Sequence, residues 1–269
     1  MTGSEARSAI REKRHRGPTA ALARGYVQAN LVALPAEEAA DFRLLCARNP
    51  VACPLLEELA PGTFVSSHAA GSDLRTDIPA YRLWRDGELV ERAAPDAIAF
   101  WRADLVAFLI GCSYTFEWAL EEAGLQPRHV ARGSSVPMYR TNVPLAPAGR
   151  LRGHLVVSMR PYRGDEIERV RAITRPFVEA HGEPFHWGDA ARIGIRDISR
   201  PDEGDAVPFE AGEEPVFWAC GVTPQVVAVE SKLPYVVTHE PGHMFVTDRR
   251  HEYLQTPPGR RRHLLGAAD

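Results

Sequence analysis

Cysteine is scarce in this 269-residue chain, with only Cys46, Cys53, Cys112 and Cys220. None of them stands in C-x-x-C spacing, which argues against a disulfide framework or a structural zinc site and fits a reduced protein. Net charge is nearly absent as well, at −3 with a pI of about 6.4. No global field therefore draws the chain toward nucleic acid or an anionic membrane. No apolar run approaches the ~18 residues of a membrane span. The amino-terminal stretch "MTGSEARSAIREKRHRG" is charged throughout and lacks the apolar core of a secretory signal. Glu5 and Glu12 set it apart from a transit peptide, so a surface helix and a cytoplasmic protein are the expectations. No low-complexity tract or internal sequence repeat is visible.

Against these absences stands an ordinary globular composition, 45% hydrophobic and 25% charged. The length suits one large domain or two small ones. The first half reads as helix-rich. "EARSAIREKRHR" and "AALARGYVQANLVAL" suggest helices, the second capped by Thr19. "AEEAADFRLLCARN" repeats apolar residues at helical spacing and stops at Asn49-Pro50. "YRLWRDGELVER" predicts a hairpin turning at Asp86-Gly87.

Three apolar runs then end in small or polar residues. "DLVAFLIGCSYTFEWALEEAG" reads as a buried strand, a turn at Gly111-Cys112-Ser113, and a helix closed by Gly124. "PVFWACGVTPQVVAVES" repeats the idea around Cys220-Gly221, and "PYVVTH" is the third run. Strands ending this way mark the ligand-binding edge of an open α/β sheet. Between the first two runs, "SVPMYRTNV", "GRLRGHLVVSMRP" and "GDEIERVRAITRPFVEAH" follow a β-β-α pattern that suggests a smaller two-layer α+β domain. The expected division is 1–130 plus 215–269 for the main domain, with 131–214 inserted as the smaller one.

The blocks "GYVQANLVALP", "DLRTDIPAYR", "GCSYTFEWAL", "VPMYRTN", "LVVSMRP", "FWACGVTPQ" and "HEPGHMFVTD" occur in this order. Together they resemble a bacterial hydro-lyase family related to the D-glutamate cyclases, from about Ala20 to Asp248. The resemblance implies an α/β fold, a three-layer α/β/α domain carrying a smaller α+β domain. It implies a lyase activity like that of the related mitochondrial enzyme, which converts D-glutamate to 5-oxo-D-proline and water. It assigns no catalytic residues, so those are argued from chemistry.

Ring closure of glutamate joins its α-amine to its γ-carboxylate and expels water. The α-carboxylate must be held, the amine deprotonated, and the departing oxygen protonated. Holding the substrate folded supplies high effective molarity, and no redox cofactor, electron sink or metal is required. Arg140 and Arg160, at strand ends, are candidate carboxylate holders through their planar forks; the plain alternative is a solvated or salt-bridged arginine. Thr141 and Asn142 add short polar donors or serve as turn residues before Pro144. Ser113 and Glu117 open a helix whose N–H groups form an anion site, or they simply start that helix with an acidic first turn. Thr223 reads as a helix cap with Pro224 at the first helical position, leaving Gln225 free for a ligand.

Cys112 and Cys220 admit a rival chemistry, acid and base on opposite faces of an α-carbon, as in cofactor-independent racemases. Their plainer role is as buried small hydrophobes. A third possibility is a non-catalytic carboxylate-binding module. The expected partner in each case is a small amino or carboxylic acid, with homo-oligomerisation open.

One further motif, "HEPGH" at residues 239–243, spells the H-E-x-x-H of zinc metallopeptidases. That chemistry needs both histidines on one helical face. Pro241 disfavours helical geometry at Glu240, and Gly242 costs about 1 kcal/mol more than alanine in a helix. The spacing therefore predicts a strand, a Pro-Gly turn and a second strand. His239 and His243 become acid–base candidates near the same sheet edge, with His181 and His186 as weaker ones.

Overall fold

The computed structural model describes residues 1–255; the carboxy-terminal part of the domain expected to run to 269 lies outside the described residues. In chain order the first elements are α1 (Gly3–Arg11), β1 (Tyr26–Pro35), α2 (Ala36–Arg48), β2 (Leu55–Glu58), β3 (Tyr81–Arg85) and β4 (Glu88–Ala94). They are followed by β5 (Leu105–Gly111), α3 (Tyr114–Glu122), α4 (Arg128–Arg132), β6 (Met138–Pro144), β7 (His154–Arg163) and α5 (Ile167–Thr174). The last are β8 (His186–Trp187), β9 (Glu213–Ala219), α6 (Thr223–Glu230), β10 (Val236–His239) and β11 (Phe245–Arg250). This is an α/β fold built on two sheets. The first runs β2-β5-β1-β10-β3-β4 with β11 also on β1, and the second runs β6-β7-β9-β8. Every paired register is antiparallel.

Local signals account for several elements. Thr2 and Glu5 form a reciprocal capping box that starts α1. Asp86 and Gly87 both have positive φ, 52° and 83°, the backbone that a two-residue hairpin turn demands. Gly124 closes α3 at φ +76°.

The segment "AALARGYVQANLVAL" corrects the expectation of a helix. It is a turn followed by β1, the centre of the first sheet, buried along nine of its ten residues. Asn30, Val32 and Leu34 alternate with Ala29, Leu31 and Ala33 along the strand, and the two sets face opposite ways. Val32 and Leu34 pack with Phe42 and Phe108, while Leu31 packs with Tyr81 and Phe245. A strand buried on both faces shows no polar–apolar alternation, so its apolar run passes for a helix face. Thr19 caps no helix. Its hydroxyl accepts the Met244 N–H at 2.9 Å and its N–H donates to the Gly242 carbonyl at 2.9 Å, tying the amino-terminal segment to the "HEPGH" loop.

The cluster around Val32, Phe42 and Phe108 continues into Tyr139, Val157 and Phe217 of the second sheet. β9 completes that second sheet, and α6 leads back to the first. All four cysteines are free and buried. Among the described residues no helix is long and apolar enough to cross a membrane.

Candidate active site

β5 ends at Gly111 and β9 at Ala219, each followed at once by a cysteine and a helix. The two turns meet although their strands belong to different sheets. A side-chain carbon on Gly221 would collide with Asn30 Nδ2 and the Gly111 carbonyl, so only glycine permits this approach. Cys112 and Cys220 share one buried cluster with Tyr114, Val156, Val222 and Met244. Burial raises both thiols, Cys220 to about 11 and Cys112 further. The backbone at Tyr114 and Val222 and the nearby Arg160 charge oppose that rise without cancelling it. Both thiols are therefore protonated near neutral pH.

Beside the thiols lies a buried ion pair. Arg160 Nε donates to Glu117 Oε1 at 2.9 Å, and Nη2 contacts the same oxygen. Nη1 donates to Ser158 Oγ at 3.0 Å and Nη2 to Ser113 Oγ at 2.9 Å. The guanidinium also lies beside the adjoining Phe116 and Trp218 rings, 5.3 and 5.2 Å from their centroids. His129 Nε2 sits 3.1 Å from Glu117 Oε1, and its ring stacks on Tyr114. Burial alone would raise the Glu117 carboxyl, but His129 and Arg160 together hold it below the usual carboxylate range. Its second oxygen, Oε2, is buried with no hydrogen-bond partner, and so is Gln225 Oε1. Unpartnered buried acceptors are rare in proteins and call for an explanation.

The expected residues divide sharply. Cys112, Ser113, Glu117, Arg160 and Cys220 come together. Arg160 does so in a different capacity from the one expected, since Glu117 and the two serines engage four of its five N–H groups. Arg140 is exposed and paired with Glu230 at 2.6 Å. It stands on the rim of a cleft of about 270 Å³ whose floor includes Met138, Val156 and Val222 of the thiol cluster. Thr141 donates to the Leu155 carbonyl at 2.7 Å, and Asn142 is exposed beside Gly194. Thr223 is the first residue of α6 rather than its cap. Its hydroxyl is engaged by the Val156 backbone, accepting the N–H at 3.0 Å and donating to the carbonyl at 3.2 Å.

"HEPGH" forms the predicted turn. The His243 N–H donates to the Glu240 carbonyl at 2.9 Å, and Gly242 has φ +86°, the type II pattern with proline at the second corner. Both histidines contact backbone carbonyls through Nδ1, and His239 Nε2 is buried without a partner. His239 Nδ1 lies 3.2 Å from both the N–H and the carbonyl of Leu31, filling the place where β10 gives way to β11 along β1. Desolvation lowers its pKa to about 4, so it is neutral near pH 7. His243 is also lowered by burial, with Nδ1 3.1 Å from the Pro241 carbonyl and Glu240 and His15 nearby. Glu240 pairs with Arg82, which also holds Glu203. The loop reaches the site by backbone instead: Gly242 packs on Ser135 and Tyr114, where a Cβ would strike Ser135 Oγ. His181 is buried, 2.8 Å from the Val51 carbonyl, and His186 lies 2.9 Å from the Asp189 carbonyl.

Residues that sequence reasoning passed over complete the site: His129, Ser158, Tyr114 and Asn30. Ser158 was within reach, since it stands two residues before Arg160 on one strand and therefore on the same face. His129 sits on a five-residue helix with no pattern around it.

A buried carboxylate–guanidinium pair thus stands beside two protonated thiols on an α/β frame. The chain belongs to the D-glutamate cyclase family, whose model matches residues 106–248, from β5 into β11. At the family level it is a hydro-lyase. It is 56% identical over 248 residues to a "Putative hydro-lyase" of Rubrobacter xylanophilus, covering 92% of this chain and 95% of that one. It is 51% identical to one of Geobacillus kaustophilus, covering 94% and 97%. A nitrogen repressor-like protein of Methanococcus jannaschii aligns over 93% of this chain and 99% of its own at 10% identity and a TM-score of 0.39, too slight a likeness to argue from.

Proposed function

We propose that this hydro-lyase closes D-glutamate into 5-oxo-D-proline with release of water. The observation that carries the reading is Glu117 Oε2, an ionised and unpartnered carboxylate oxygen buried beside two protonated thiols. Glu117 Oε2 takes a proton from the substrate ammonium, freeing its lone pair. The amine attacks the γ-carboxylate carbon and the C–N bond forms. One γ-oxygen takes a thiol proton from Cys112 or Cys220 and the proton held by Glu117, its C–O bond breaks and it leaves as water. The surplus proton on nitrogen returns to the thiolate. Arg160 keeps Glu117 charged and in place. The amino-terminal ends of α3 and α6 carry partial positive charge that favours a carboxylate near them, and Arg140 attracts the acid from the rim of the cleft. The family's name and its hydro-lyase relatives support the reaction type.

Chiral chromatography of 5-oxoproline formed from D- and L-glutamate tests this directly. Product from the D-isomer is expected, and Glu117→Gln should lower its rate about 10²–10⁴-fold, the usual worth of a positioned acid–base group. No product above a heat-killed control overturns the cyclase reading and leaves the lyase class standing.

A further inference from the structure

The two cysteine turns are copies of one unit. From Cys112 the chain reads C-S-Y-T-F-E, and from Cys220 it reads C-G-V-T-P-Q. Each cysteine directly follows a strand and lies just before a helix. Each threonine, three places on, does the same thing with its hydroxyl. Thr115 accepts the Gln28 N–H at 3.1 Å and donates to the Gln28 carbonyl at 3.4 Å, on the strand that pairs with β5. Thr223 makes the same two bonds to Val156, on the strand that pairs with β9. Five places on stand Glu117 and Gln225, both buried, and each leaves one side-chain oxygen without a partner. The units come from different sheets, yet Gly221 of one rests on the Gly111 carbonyl of the other, and both sulfurs lie in one cluster.

We infer that Cys112 and Cys220 face a bound α-amino acid from opposite sides and exchange its α-proton, giving the site a racemase-type activity. The two units bring equivalent groups together from two sheets, and the two faces of a tetrahedral carbon require one such group each. The two orphaned oxygens, Glu117 Oε2 and Gln225 Oε1, are acceptors for an ammonium. The positive ends of the α3 and α6 dipoles favour the α-carboxylate. Together these define a zwitterionic α-amino acid as the ligand.

In the step itself, one sulfur reacts as thiolate and takes the α-proton, forming S–H as C–H breaks. The electron pair passes to Cα and its carboxylate as an enediolate. The opposite thiol then delivers its proton to the other face and becomes the thiolate. Both thiols are protonated at rest, so Glu117 takes one thiol proton before the step and returns it afterwards. One proton is shared over the two sulfurs during the exchange, and no oxidant, reductant or further reactant is consumed. The step uses the site proposed for ring closure but a different bond of the substrate, because ring closure leaves the α-hydrogen in place.

The test incubates the intact protein in deuterated water with each common amino acid in both configurations and with both isomers of 5-oxoproline. Mass spectrometry and chiral chromatography read α-deuterium and inversion in the same samples. The wild type is expected to label and invert at least one amino acid. Cys112→Ser should stop inversion and keep exchange for one configuration only, and Cys220→Ser should do so for the other. That mirrored pattern is something a packing role would not produce. The doubly substituted chain, with its fold checked by circular dichroism, should label neither. Absence of wild-type labelling across the whole panel overturns the inference, as does labelling that survives the double substitution. Ring closure without α-exchange removes this inference alone, and α-exchange without 5-oxoproline removes the cyclase reading alone.

Discussion

Around Cys112 the chain places a carboxylate five residues on, and around Cys220 it places an amide at the same step. The scaffolds match down to the two bonds of each threonine, so the difference in charge lies in the occupant and not in the frame. Glu117 has a counter-charge in Arg160, seated between Ser113 and Ser158. Gln225 has none and, being neutral, needs none. One half of the site carries the protonic charge while the other offers only a dipole. The comparison teaches that a duplicated backbone unit can be specialised at one position, provided that the counter-ion comes from outside the unit, here from β7.

The sharpest way to break this comparison is Glu117→Gln, which makes the two halves alike. It leaves Arg160 buried without its counter-charge, and loss of one partner of a buried pair costs about 3–5 kcal/mol; urea denaturation should show a loss of that order. Gln225→Leu is the contrasting change. It removes an orphaned acceptor, so stability should hold or rise by up to about 1 kcal/mol, while turnover assays should show weaker substrate binding. A matched fall in stability at both positions would mean that the amide is structural. Thr115→Val and Thr223→Val test the equivalence itself. Each removes two hydrogen bonds to the neighbouring strand, and each should cost about 1–2 kcal/mol, with the two losses similar in paired melts.

The smallest effect concerns histidines outside both units. His181 and His239 are held down to about 4 by burial, from an ordinary 6.5. Between those values the unfolded chain binds protons that the native chain refuses, so their stabilising contribution is whole above pH 6.5 and is lost as pH falls toward 4. His239→Gln should flatten the measured stability–pH slope in that window by as much as one proton.

Much of this was legible in the sequence, for identifiable reasons. Strand, cysteine and helix around Cys112 and Cys220 announce themselves because a buried run stops abruptly at small residues. Pro241 and Gly242 rule out the zinc-protease helix before any coordinate is seen. β1 was hidden because burial on both faces erases its period. The repeat was hidden because its two copies share only cysteine and threonine in six positions, while its identity resides in backbone hydrogen bonds. The Glu117–Arg160 pair could be assembled only in three dimensions, since its members are 43 residues apart and lie on a helix and a strand beside different sheets. His239 had the right chemistry in the right neighbourhood, yet its Nδ1 closes a gap on Leu31.

That contact joins residues 208 positions apart, and it bears on how the chain is made. β1 emerges early from the ribosome and pairs with β5 after some 70 residues, but its other partners, β10 and β11, are synthesised near the end. For most of translation the central strand therefore exposes part of one edge, a template for wrong pairing. Contacts of such long range also slow closure of the sheet. In a cell lacking chaperones, the nascent chain should be the vulnerable species, and truncation before Val236 should yield aggregate instead of a smaller folded protein.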